Sequence, residues 1–440
     1  MYYFFKKKLS LLNFYFYKYN NYLIFISFIC LTILASLIFS YKFALYFPTV
    51  INNNFIQLGQ IPFNHGQLIH NLLHNYSYKV QLHGIDFYLD RMPLLSFLTI
   101  IISKISLNIY FFLIIKNILF FLLFFYVCNK IKYIFYNNPY FFFLITHIIF
   151  FNFFNWKTSL NFVFEDAYIS ILLPALFLVL INEKIKNQAT LVSLFLVILL
   201  FTKITMLYLA IIISILFIII NKNRLISKYL PIFILITGMI VWGIFGYNKT
   251  GRVPFLNSMS STNQDGLALV FNEKFKDTYP TKIIDSLERE MVNHFPPFNR
   301  KNVPLFKNEW QYYDYFKEKN IKFFNENKLE IIKGLELKIK FLLFNIYNYG
   351  STEHLNEGKI EILISHVLNR IVFLFSLLIF SLKIMKKKIL KEDVYFITII
   401  ITSLMPLVIG WITSKHLVPI FIICHIYSLL NVYRIIYKKF

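Results

Sequence analysis

The chain reads as an all-α polytopic membrane protein, and three features of its 440 residues predict this. Hydrophobic residues make up 58% and charged residues only 15%, whereas a soluble domain carries roughly 45–50% apolar and about 25% charged residues. Apolar runs such as Tyr22–Ser40, Leu191–Phe201 and Tyr395–Ile412 recur along the chain, as membrane spans do. The charge is also segregated. Residues 248–361 hold 17 Lys/Arg and 15 Asp/Glu, while all other residues together hold 28 basic and seven acidic side chains. Nearly all of the net +23 therefore lies beside apolar runs. That is where Lys and Arg fix cytoplasmic loops and meet anionic headgroups. A cytosolic enzyme, a disordered tail and a basic nucleic-acid groove are poor descriptions of such a chain.

The first span is expected over 22–41. Lys6, Lys7, Lys8 and Lys18 precede it and put the N-terminus in the cytoplasm, so the segment reads as a retained signal anchor. Further spans are expected near 108–128, 139–154, 167–182, 188–203, 204–221, 229–247, 363–384, 394–412 and 416–434. About ten crossings of roughly 20 residues each put both termini inside. Under this topology 19 of the 28 basic residues fall in cytoplasmic segments and seven in short outer ones; Lys116 and Arg370 fall within spans. The positive-inside rule favours this arrangement. Pro93–Ile105 is apolar but too short to cross, and reads as a surface or half-inserted helix on the outer face.

Three regions follow. Residues 1–247 form an N-terminal transmembrane module with a first outer loop at 42–107. Residues 248–361 form a long outer, periplasmic loop. Residues 362–440 form the C-terminal transmembrane helices. Within the long loop Glu309–Lys340 reads as helix, with charge pairs three and four residues apart. Cys30, Cys128 and Cys424 all lie in apolar runs and read as small buried side chains.

Acids outside the long loop are few: Asp86, Asp90, Glu165, Asp166, Glu183, Glu392 and Asp393. The last three fall in cytoplasmic connections and are expected to be solvated. The first four lie on the outer side next to membrane, where an acid is costly unless paired or hydrated and so marks a candidate site. Asp166 suits a helix N-cap equally well. Asp90 suits a cap too, with Pro93 in the first turn of the helix that follows. Arg91 is placed either to clamp a phosphate oxygen or to snorkel to headgroups. Thr202-Lys203 interrupts a long apolar stretch and is expected at an outer hairpin, and Lys415-His416 occupies a similar outer connection before Pro419. His70 and His74 share a helix face at i,i+4, but no third ligand accompanies them, so no metal site is assigned.

Taken in order, these segments resemble integral-membrane glycosyltransferases of the GT-C class, in particular protein O-mannosyltransferases and lipid A aminoarabinose transferases. Arg91-Met92-Pro93-Leu94-Leu95 resembles the family's Arg/His-x-Pro-Leu segment, and Phe164-Glu165-Asp166-Ala167 the acid that opens a later span. Leu199-Leu200-Phe201-Thr202-Lys203 resembles the Leu-Thr-Lys/Arg hairpin, and Asn257–Gly266 the start of the long loop. Lys415-His416-x-x-Pro419 resembles the basic residue and Pro before the terminal span. Family members carry a catalytic Asp early in the first outer loop. Here no acid occurs there before Asp86, so His65 or Asp86 stands in that place.

The resemblance implies a GT-C-like helix bundle in the cytoplasmic (inner) membrane with its site facing the periplasm. The implied donor is a polyprenyl-phosphate-linked sugar and the acceptor an envelope lipid, glycan or protein. Glu165, Asp166, Asp86 or His65 would be the base. Arg91, Lys203, Lys415, His416 and Asp90 would bind substrate, the cations stabilising the departing phosphate. Direct displacement would invert the anomeric centre. A divalent cation is compatible with this chemistry, but no residue set specifies one. Two other classes fit the architecture. One is an envelope-polysaccharide polymerase, ligase or lipid-linked sugar flippase, which the charge-balanced long loop disfavours; the other is a non-enzymatic anchor.

Overall fold

A computed structural model of the chain describes residues 65–82, 85–89, 91–105, 165–182, 185–221, 225–254, 306–326, 359–409 and 414–436, with a few isolated positions. The expected spans at 22–41, 108–128 and 139–154 lie outside the described residues, as do Lys116 and Glu183.

In chain order the described elements are α1 (His65–Asn75), β1 (Val80–Leu82), β2 (Ile85–Phe87), α2 (Pro93–Ser103), α3 (Glu165–Ile181), α4 (Gln188–Thr202), α5 (Met206–Ile220), α6 (Leu225–Thr250), α7 (Glu309–Glu326), α8 (Lys359–Met385), α9 (Lys391–Ile409) and α10 (Ser414–Ile436). The described architecture is thus mostly helical, as expected. The antiparallel hairpin of β1 and β2, with Gln81 opposite Asp86, was not foreseen in the all-α assignment. Its signal is short: alternating apolar residues either side of His83-Gly84.

α3 packs against α4, α9 and α10; α5 lies against α9, α6 and α4; α6 lies along α4, and α8 along α10. The shared core includes Leu172, Leu176, Phe195, Leu199, Phe396 and Tyr427, all essentially inaccessible. α6 and α8 are long and apolar enough to cross a membrane; Tyr168–Ile181, Gln188–Thr202, Met206–Ile220 and Leu417–Val432 are shorter apolar stretches. Most of the apolar window in each long helix faces outward, including Phe233, Ile240 and Ile244 on α6 and Ile371, Leu374 and Leu378 on α8. Contiguous apolar surface of this kind is unusual facing water and suits contact with lipid.

Polar groups inside the bundle are answered locally. Ser193, Ser214 and Thr402 each donate to the carbonyl four residues earlier at 2.7 Å, which satisfies a hydroxyl without leaving the helix. Gln188 Nε2 donates to the carbonyls of Val179 and Leu180, at 2.7 and 3.2 Å, and so caps the end of α3.

Glu392 and Asp393 are not solvated, which corrects the expectation for them. Both are buried. Asp393 Oδ1 takes Lys383 Nζ at 2.7 Å and the Tyr427 hydroxyl at 2.6 Å, and Oδ2 accepts the Leu390 N–H at 2.7 Å. That last bond is the third residue of a helix reaching back to cap its start. Glu392 pairs with Arg434. Apolar neighbours at this end leave a carboxylate no water, so it turns inward to the nearest cations. Replacing Asp393 by Ala should cost about 3–5 kcal/mol, because it strands a largely buried ammonium. Thermal unfolding in detergent should show that loss, and the paired change Lys383→Met with Asp393→Leu should recover most of it.

Candidate functional site

The opposite end of the bundle gathers α1, the β1–β2 hairpin, α2 and α7. α3 begins there, at Glu165, so Asp166 lies inside the first turn rather than at the cap expected for it. The α4–α5 turn carries Lys203, and α9 and α10 meet nearby. Ile169 and Leu173 of α3, Lys203 and Thr205, Ser403 and Pro406 of α9, and Pro419 of α10 all line one small cavity. Glu165 stands one helical turn from Ile169, and Lys415 one turn from Pro419.

The structure brings two of the predicted residues together. Arg91 Nη1 lies 3.8 Å from Glu165 Oε1, and Glu165 is only 9% exposed. Arg91 is fixed through its backbone, whose carbonyl accepts a 2.6 Å hydrogen bond from the Tyr78 hydroxyl. Tyr78 in turn packs edge-on against Trp242 and Phe245 of α6. Met92, the residue after Arg91, lines an apolar groove of about 490 Å³, whose wall also includes Leu200, Met239, Trp242, Val253 and Pro254. A cation one residue along the chain from the wall of an apolar groove can hold an anionic head while the groove takes an apolar tail.

Asp86 has a different setting. It accepts a 2.7 Å hydrogen bond from Lys79 on the hairpin. That bond holds the Lys79 ammonium above its usual pKa, with the nearby Asp86 charge adding to the effect. Such a partner favours folding below the unfolded lysine pKa and is lost above the folded one; the pair is too exposed to matter much. Asp90 and the side chains of His65, Asp166, Lys415 and His416 lie outside the described residues. Among the described residues, no group of three His, Cys, Asp or Glu could hold a metal ion.

Glu309 is a residue the sequence did not single out. It opens α7 and is 2% exposed. Its Oε2 accepts the N–H groups of Tyr88 and Leu89 at 3.1 and 3.2 Å. Asn308 caps the helix by accepting the Gln311 N–H at 3.0 Å. Next to this contact, Arg252 pairs with Asp314 at 2.7 Å and covers the Trp310 ring at 5.3 Å. The long segment is thereby docked on the hairpin that precedes Arg91. Spacing gives no sign of Glu309's role: besides the Tyr313 hydroxyl at 3.5 Å, four residues on, it binds backbone groups about 220 residues away.

Compared with family models, curated proteins and solved structures, the chain matches none.

Glu309→Ala should release α7 from the hairpin, at a cost of about 2–3 kcal/mol for the lost charge-assisted bonds. Limited proteolysis should then cut within 306–326 faster than in the parent, while Asp314→Ala, at an exposed pair, should change the cleavage rate little.

Proposed function

We propose that the chain is an integral-membrane glycosyltransferase. It takes a sugar from a polyprenyl-phosphate donor and places it on an envelope acceptor, a lipid, glycan or protein, at the outer face of the cytoplasmic membrane. The observation that carries this reading is the Arg91–Glu165 pair, with the residue after Arg91, Met92, lining the apolar groove. Supporting it is the order of motifs shared with GT-C enzymes.

In this reading the donor's prenyl chain lies along the groove beside α6 and its phosphate meets Arg91. A guanidinium suits that task, since its planar fork matches phosphate oxygens. As the bond from the anomeric carbon to the phosphate oxygen breaks, charge grows on the phosphate. Arg91, with Lys203 and Lys415 as further cations, stabilises that charge. Glu165 takes the proton of the acceptor hydroxyl as its oxygen attacks the anomeric carbon from the opposite side. The anomeric configuration inverts. Arg91 thus moves from carboxylate to phosphate as the donor arrives, and Glu165 becomes a base only once the donor is in place. Asp86, held by Lys79, is the weaker candidate.

The proposed topology is multi-pass with both termini in the cytoplasm. Lys186, Lys228, Lys383, Lys386 and Arg434 fall at the bundle end away from Glu165, as the positive-inside rule asks of a cytoplasmic end.

Purified protein supplied with polyprenyl-phosphate sugars should transfer them. Glu165→Gln and Arg91→Ala should each lower the rate by about 10²–10³, while Asp86→Asn should keep most of it. Full transfer by both Glu165→Gln and Arg91→Ala would remove the assignment. For topology, a cysteine at position 205 should react with an impermeant thiol reagent from outside intact cells; labelling only after lysis would reverse the orientation.

A further inference from the structure

The proposed chemistry occupies one end of the bundle, and the other end carries a feature it does not explain. α8 ends in a paired hydrogen-bond cap. The Lys388 N–H donates to the Lys383 carbonyl and the Lys387 N–H to the Ile384 carbonyl, both at 2.9 Å. This cap needs a left-handed residue at position 387, and Lys387 has φ 52°. Glycine is the usual occupant, because a Cβ crowds the backbone there. The chain does use glycine after α6, where Gly251 has φ 76°. After α8 it has lysine, the middle one of Lys386-Lys387-Lys388. A side chain kept where its own backbone disfavours it points to a use for that side chain.

The surroundings say which use. Lys386, Lys387 and Lys388 are exposed, and so are the apolar residues that flank them: Met385 at 79%, with Ile389 and Leu390. The two neighbouring acids, Glu392 and Asp393, are buried and face Arg434 and Lys383. Neither carboxylate is exposed beside Lys387. The result is a cationic knuckle with apolar shoulders at the end of a helix able to cross a bilayer. Ammonium groups at headgroup depth beside apolar groups at acyl depth match the boundary of an anionic leaflet.

We propose that the α8–α9 turn is a binding site for acidic phospholipid, with Lys387 at its centre. The proposal rests on the chain lying in a membrane and not on its being a glycosyltransferase. The apolar shoulders select a lipid over free phosphate.

The test uses the full chain in neutral detergent with equimolar phosphatidylglycerol and phosphatidylcholine, and native mass spectrometry to count bound lipid. Phosphatidylglycerol should be preferred by roughly tenfold or more at low salt, a lysine near an anionic headgroup being worth about fivefold. The preference should shrink as salt rises. Lys387→Gly should lower it about fivefold while raising Tm, because glycine relieves the left-handed backbone. A residue serving only the fold would not move these two readouts in opposite directions. Lys317→Gln with Lys322→Gln, on exposed positions of α7, should leave the preference unchanged. The proposal is overturned if the parent shows no headgroup preference, if salt leaves that preference intact, if Lys387→Gly retains it, or if the α7 double variant loses as much. Sugar transfer by the same preparations reads the enzyme proposal separately.

Discussion

Every buried carboxylate among the described residues stands in the first turn of a helix. Glu165 opens α3, Glu309 opens α7, and Glu392 and Asp393 lie in the first turn of α9. An apolar bundle offers a carboxylate no water, and stripping one of its hydration costs several kcal/mol. Helix N-termini are the cheapest refuge, since their unpaired N–H groups and the positive end of the dipole face the charge. The rest of the arrangement follows from this constraint. Acids gather at the helix starts, cations come to them, and the middle of the bundle keeps mainly hydroxyls that bond to their own helix. α8 carries exceptions: Arg370 is buried with its guanidinium 5.9 Å over the Phe421 ring, and the neighbouring Asn369 is buried with its Oδ1 2.9 Å from His425 Nε2 of α10.

The buried acids are not held alike. Asp393 is gripped at 2.6–2.7 Å by an ammonium, a phenol and a backbone N–H. Such a set fixes one geometry and leaves no approach for a ligand. Glu309 is held by two N–H groups of another segment, which docks one piece of chain on another. Glu165 meets Arg91 at 3.8 Å, beyond hydrogen-bond range. Met92, the residue after Arg91, lines the apolar groove, so this pair lies close in sequence to a cavity wall, whereas Asp393 does not.

The helices were legible because their signal is continuous apolarity. The expected spans at 167–182, 188–203, 229–247 and 416–434 match α3, α4, α6 and α10 to within a few residues. Thr202-Lys203 was legible as a turn because a polar pair interrupts an unbroken apolar run. Arg91 and Glu165 could be named separately, each as a charge next to the membrane, but their meeting needs the hairpin and α6 to place Tyr78, which no local pattern encodes. The state of Glu392 and Asp393 was misjudged for the same reason. In sequence they sit among lysines and look solvated; in space Tyr427 and Arg434 arrive from α10, and the acids turn inward.

Gly246 shows how far such a dependence can reach. It lies within α6, where glycine costs about 1 kcal/mol relative to alanine, so the sequence gives it only a cost. In space, a Cβ there would come within 2.3 Å of Pro254 Cδ. The chain leaving α6 folds back over this glycine, which puts Val253 and Pro254 into the wall of the apolar groove and Arg252 over Trp310. A side chain at 246 would have to push that return segment off the helix. The groove would lose part of its wall and α7 its contact with Arg252, although neither change touches a charged residue of the site. The shape of the apolar groove and the docking of the long segment thus share one cause: the absence of a single methyl group.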